Sequence, residues 1–275
     1  MTAERPMIFD FHAAQACRLR ARRIAGDRFL DQAALEGLCD RLAAVTRHFD
    51  HGLWIGETLP PAIRPFAREW SVQDFDEREF LDVGKGPFDL AVSLYSLQAI
   101  NDLPGSLIQI RRALKPDGLF LATLFGGETL RELRESFAFA ETEIAGGISP
   151  RVAPFADVRD MGALLQRAGF ALPVADVERL SVRYRDFGSL VRDLRAHGQG
   201  NVLAARRRGF LGRRVLDALT AYYSAHHARD GKLNATFETL YLTGWTPHQS
   251  QQQPLKPGSA KARLSDALGT VERKL

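Results

Sequence analysis

The stretch FDLAVSLYSLQAINDLPGSLIQIRRALKPDGLFLATLFGGETLREL, residues 88–133, decides the fold. Phe88–Leu94 is a short apolar run suited to a strand buried on both faces. Leu103–Leu114 then repeats Leu103, Leu107, Ile110 and Leu114 at helical spacing, with Arg111 and Arg112 on the outer side. Lys115-Pro116-Asp117-Gly118 is expected to end that helix, because proline cannot continue it and glycine accepts positive φ. Leu119–Phe125 is a second buried strand, and Gly126-Gly127 opens a helix expected from Glu128. A strand–helix–strand crossover of this kind implies a parallel sheet, whose ligands gather at the carboxyl ends of the strands.

Upstream, Asp31–His48 is predicted as a helix with Leu35, Leu38, Leu42 and Val45 on one stripe. Gly52–Ile55 is the first candidate strand. Leu59–Trp70 is expected as short helical pieces broken at Pro65, and Glu69–Phe75 as a second strand. A nucleotide-type α/β unit needs strand, glycine-rich turn, helix, strand, helix and strand before the position of Phe88. Only 32 residues separate Gly56 from Phe88, which is too few, so one βα unit is missing or reduced to a loop. Downstream, helices are predicted at Glu128–Ile144, Asp157–Ala168, Phe187–His197 and Phe210–His227, with extended segments at Pro173–Tyr184 and Thr236–Trp245. The expected organisation is an N-terminal helical segment over 1–48, an α/β domain over 49–245 with a helical insertion at about 186–230, and a polar tail over 246–275.

With 45% apolar and 25% charged residues the composition is that of a soluble globular protein. No run approaches the ~20 apolar residues of a membrane span. The N-terminus lacks an apolar signal-like segment, and the two cysteines, Cys17 and Cys39, form no CxxC or His/Cys cluster. A reduced, cytoplasmic setting without a zinc site is the expectation. The net charge of +4 gathers in two arginine clusters, Arg18–Arg28 and Arg206–Arg214. With few aromatic residues interleaved, they read as solvated helix faces; nucleic-acid binding is the alternative, and peripheral contact with acidic lipid stays open.

Residues 88–133 resemble the fourth and fifth strands of class I S-adenosylmethionine (SAM) methyltransferases, in the pattern FDLVxS…NDLPxxLxxIRRxLKPDGLFL. The similarity narrows to the complex I assembly factor family of methyltransferase-like proteins, found in mitochondria and α-proteobacteria. It takes in Gly126–Leu130, Ser149–Val152, Leu164–Phe170, Val182–Tyr184, Asp193–Arg195 and Gly244-Trp245. Methyltransferases of the biotin-synthesis type share the plan, including the helical insertion. The resemblance implies a Rossmann-like methyltransferase sheet of seven strands, the last reversed, with SAM over its carboxyl edge. Here that sheet is expected to be trimmed near its second and third strands. For the mitochondrial member the resemblance implies peptidyl-arginine hydroxylation of a complex I subunit.

In the wider fold the first strand ends in an acidic-x-Gly-x-Gly loop, whose glycines let the backbone approach the cofactor. Here Gly56 alone fits that pattern, followed by Glu57, Thr58 and two prolines. Asp74 and Asp76, about 20 residues further on, suit an acid that binds ribose hydroxyls, or else are solvated loop carboxylates. Ser93, Leu94 and Tyr95, at the end of the Phe88–Leu94 strand, complete the candidate cofactor-binding set. Relatives often carry His-Trp where this chain has Gln98-Ala99, while Asn101 and Asp102 read as helix caps. Gly126-Gly127-Glu128 reads as a strand-to-helix turn, with an anion-binding helix start as the alternative. His197, His226 and His227 lack metal-ligand spacing and read as surface or packing residues. No nucleophile motif is present and no catalytic residue is assigned, which methyl transfer does not require. The function expected from the resemblance is a SAM-dependent, methyltransferase-like protein that modifies or chaperones a protein partner. The rival is a pseudo-enzyme that keeps the fold, has lost SAM and works as a scaffold.

Overall fold

The computed structural model describes residues 7–252 except Ala25 and Lys85. In chain order the elements are α1 (Phe11–Ala21), α2 (Phe29–Ala43), β1 (Phe49–Ile55), a 3-10 helix (Pro61–Phe66), β2 (Ala67–Gln73), β3 (Phe88–Leu94), α3 (Leu103–Ala113) and β4 (Leu114–Phe125). There follow α4 (Arg131–Ala145), α5 (Val158–Arg167), β5 (Ala171–Tyr184), α6 (Phe187–Ala196), α7 (Arg213–His227), β6 (Ala228–Arg229) and β7 (Lys232–Trp245).

The strands form one sheet in the order β2-β1-β3-β4-β7-β5, with the short β6 also on β7. Strands β1 to β4 run parallel, and β7 runs antiparallel to both β4 and β5. The reversed last strand is therefore inserted between its neighbours. On the other side the sheet stops at β2, and residues 74–84 form turns and an isolated bridge between Phe75 and Leu81. That is the trimming the 32-residue interval predicts. Three prolines, at 60, 61 and 65, hold the segment after β1 to a single 3-10 stretch, and its expected helical continuation is strand β2 instead.

Alternation along the central strands splits the core into two layers. Leu90 and Val92 of β3, with Leu119 and Leu121 of β4, face Leu38 and Leu42 of α2. Ala91, Phe120 and Ala122 point the other way, toward Leu107 and Ile110 of α3 and Leu165 of α5. Each fully buried leucine contributes about 1.5–3 kcal/mol, so α2 is part of the core. Asp102 caps α3, its carboxylate accepting from the Gly105 N–H at 2.9 Å. Asp157 and Asp186 cap α5 and α6 in the same way.

Two local expectations differ. Lys115–Gly118 is not a free turn but a bulged start of β4, where Asp117 takes φ 63° and the register shifts between Phe88 and Leu90. The Asp117 N–H donates to the Thr246 carbonyl (3.0 Å) and the Thr246 N–H to the Gly118 carbonyl (2.8 Å), which draws the bulge into the sheet. Gly126-Gly127-Glu128 precedes the helix instead of starting it: α4 begins at Arg131, and Glu132 is the acid in its first turn. The reason is Thr129, whose hydroxyl donates to the Glu238 carbonyl (3.1 Å) and accepts from the Glu238 N–H (3.0 Å), pinning the segment to β7. The expected tail falls mostly on residues 253–275, outside the described residues.

Candidate functional site

A cavity of about 1040 Å³ lies over the carboxyl ends of β1, β2 and β3, where a parallel sheet places its ligands. Its floor is the sheet edge, and its roof is α1, the start of α2 and the segment after α6. The segment before α1 and the segment after α6 are joined by a bridge between Phe9 and Leu203. The Asp10 N–H donates to the Val202 carbonyl and the Ala204 N–H to the Ile8 carbonyl, both at 2.8 Å. Asn101 holds the same strand of the bridge, accepting from Ile8 and Phe9 N–H groups at 2.7 and 2.8 Å.

Of the six candidate cofactor residues, four line this cavity: Gly56, Asp74, Leu94 and Tyr95. Gly56 takes φ +149°, and a Cβ there would lie 2.8 Å from Ser96 Oγ and 3.1 Å from Trp54 Nε1, so the glycine is obligatory. Asp74 stands at the tip of β2. Burial raises its pKa, partly offset by Arg18 at 3.9 Å. Tyr95 is held at φ 54°, an unusual conformation for an aromatic residue, with its ring stacked on Phe125 at 4.3 Å. Burial pushes its hydroxyl well above the usual range and the hydroxyl is paired with Thr239 at 2.6 Å, so it stays protonated and is no general base. The other two lie elsewhere. Ser93 is wholly buried inside β3, and the Asp76 carboxylate caps its own turn by accepting from the Arg78 and Phe80 N–H groups.

Arginines furnish most of the roof's charge. Arg18 of α1 and Arg22, the residue that caps its end, reach Glu57 and Asp74: Arg18 Nε lies 3.6 Å from Glu57 Oε1, and Arg22 hydrogen-bonds Glu57. Arg28 pairs with Asp31 at 3.3 Å. The first arginine cluster is thus partly turned into the cavity, which corrects the reading of a solvated face. The sequence held one signal of this, the recurrence of Arg18 and Arg22 one helical turn apart. Trp54 was missed altogether. It sits two places before Gly56, where the wider fold has its acid, and is 3% exposed. Its Nε1 and the Arg18 Nε have no hydrogen-bond partner among the described residues.

The motifs behind the resemblance meet in space. Arg151 donates through Nε (2.8 Å) and Nη2 (2.5 Å) to Glu141, which also takes the Ser149 N–H at 2.7 Å. This fixes the loop whose Val152 and Phe155 wall the cavity. The Tyr184 hydroxyl donates to Asp193 at 2.6 Å, joining two further motifs and setting the angle of α6, whose Arg195 faces the cavity. Gly244 admits Phe170, which a Cβ would approach to 3.0 Å. His197, buried at the end of α6, accepts from the Leu30 N–H at 3.3 Å and ties the two halves of the roof together. No helix among the described residues is long and apolar enough to cross a membrane.

The SAM that the fold family implies needs an acceptor for its ribose and donors for its amino-acid end. Asp74 offers the first, and the unpaired N–H groups of Trp54 and Arg18 offer the second, so the residues fit the group. A family model described as a methyltransferase domain matches residues 17–173. The chain is 42% identical to the mitochondrial arginine-hydroxylase NDUFAF5 of Danio rerio over 191 residues, 69% of this chain and 59% of that protein. It thus spans less than two thirds of that relative's length. To the Mus musculus protein of the same name it is 41% identical over 282 residues, covering 96% of this chain and 80% of that one. Among solved structures, the YcgJ protein of Bacillus subtilis superposes with a TM-score of 0.50 at 11% identity, over 78% of this chain and 99% of that one, a likeness of fold alone. The chain belongs to the methyltransferase-domain family, in the group of the NDUFAF5 proteins, with one βα unit of the sheet removed.

Proposed function

We propose that this chain is a SAM-binding, methyltransferase-type protein that modifies or chaperones a protein partner in the assembly of respiratory complex I. The reading rests on one observation: the cavity over β1, β2 and β3 holds Gly56 and the half-buried Asp74 at the strand tips, where this fold accepts its cofactor. Bound SAM supplies an activated methyl group on a sulfonium. The chain's own part is positional. Asp74 receives ribose hydroxyls, Tyr95 and Phe125 give an apolar wall, and α1, the start of α2 and the segment after α6 cover the site. The name of the relatives, arginine-hydroxylase, supports an arginine as the residue that the partner presents.

Titration calorimetry of the full chain with SAM tests this. Micromolar binding is expected, weakened about tenfold to a hundredfold in Asp74→Ala, the effect of losing hydrogen bonds to a charged group. Absence of heat at millimolar SAM would instead assign the chain to the scaffold class.

A further inference from the structure

Two buried N–H groups beside the Gly56-Glu57 peptide find no hydrogen-bond partner among the described residues. Trp54 packs in one cluster with Leu38, Leu42 and Ile63 and is also among the residues that line the cavity. Arg18 divides its guanidinium between Glu57 at 3.6 Å and Asp74 at 3.9 Å, contacts too long to use its Nε hydrogen. A buried donor without an acceptor is costly, and of the seven buried side-chain atoms without a partner among the described residues, Trp54 Nε1 and Arg18 Nε are the two whose residues line this cavity, which points to a ligand that supplies the acceptor. Charge narrows the ligand. Five arginines and three carboxylates line the cavity. The charge of Arg151 is met by Glu141, which lies outside the lining, leaving four arginines facing Asp31, Glu57 and Asp74. One positive charge remains in excess.

We propose that Trp54 Nε1 and Arg18 Nε form a carboxylate-binding corner that replaces the missing glycine-rich loop and holds the amino-acid carboxylate of the cofactor. The inference rests on the SAM reading above. A rigid neutral donor and a cationic donor converging on one carboxylate give a short, charge-assisted pair of hydrogen bonds, and the indole cannot rotate away because its ring is core. In a glycine-rich loop the backbone would do this work. Here the prolines after Thr58 and the closed Gly56 N–H, donated to the Gln73 carbonyl at 2.7 Å, remove that option.

The test follows the indole N–H resonances of the three tryptophans in the full chain, labelled with heavy nitrogen, during titration with S-adenosylhomocysteine and with methylthioadenosine, which lacks the amino-acid end. Trp54 is identified by Trp54→Phe, and Trp70, whose Nε1 already donates to the Arg64 carbonyl at 3.1 Å, is the internal control. The Trp54 signal is expected to move downfield with S-adenosylhomocysteine and stay with methylthioadenosine, while Trp70 stays with both. Trp54→Phe and Arg18→Gln should each weaken S-adenosylhomocysteine about tenfold and leave methylthioadenosine unchanged. Binding of S-adenosylhomocysteine with an unmoved Trp54 signal and undiminished affinity in both variants would overturn the corner and leave the cofactor reading standing. Failure of both nucleosides to bind the unaltered chain would overturn both.

Discussion

Glu141 shows how much one side chain can be asked to hold. It is 1% exposed, and burial alone would raise its pKa; two bonds from Ser149 and the fork of Arg151 outweigh that and carry it below its ordinary 4.5. The folded state therefore prefers the ionised acid. The stabilisation is complete above the unfolded value and is lost as pH falls through the lower, folded one. Urea unfolding of Glu141→Gln at neutral pH should show a loss of about 3 kcal/mol, because Arg151 then keeps a largely buried charge without a counter-ion. The variant should also lose part of the acid-side decline in stability between pH 5 and 3, and an unchanged decline would show that other carboxylates carry it. Sequence reading marked Ser149–Val152 as a motif but not its partner. Glu141 looks like any outer acid of a helix, and only the fold of the following loop brings Arg151 over it.

At the scale of elements, the seating of α2 on the sheet is decided by a glycine. A Cβ on Gly37 would collide with the hydroxyl end of Tyr241, whose ring is buried and backed by the Arg41 guanidinium at 3.5 Å. Gly37→Ala gains about 1 kcal/mol of helix propensity and loses about 1–3 kcal/mol to overpacking, so a net destabilisation is expected. Thermal unfolding should show a midpoint lower by several degrees; a raised midpoint would mean that Tyr241 moves aside freely. The stripe of α2 was readable from its spacing, since Leu38 and Leu42 repeat with the helical period. The need for Gly37 was not, because the residue it accommodates lies about two hundred positions away. Likewise β7 begins at Lys232, before the expected Thr236, since the polar Asn234 is satisfied from outside the strand by Glu132 and Ser181.

Across the whole molecule, stability is unevenly shared. β3 and β4 are buried on both faces, whereas α1 buries only Ala14 and Ala21 and is held mainly by ion pairs and the Phe9–Leu203 bridge. Hydrogen exchange should accordingly release the amides of α1 orders of magnitude sooner than those of β4; equal protection would show that the roof opens only with global unfolding. The parallel sheet and its lost βα unit were visible in residues 88–133 and in the short interval before them. The roof was not, because arginines at 18 and 22 look the same whether they meet water or Glu57. The Phe9–Leu203 bridge also has a consequence in time. If a molecule enters or leaves the cavity on that side, those few hydrogen bonds must part each time, so arrival and departure are slowed by the same factor. Loosening the bridge, for instance by Asn101→Ala, should quicken both rates in stopped-flow mixing while the dissociation constant stays where the cavity walls set it.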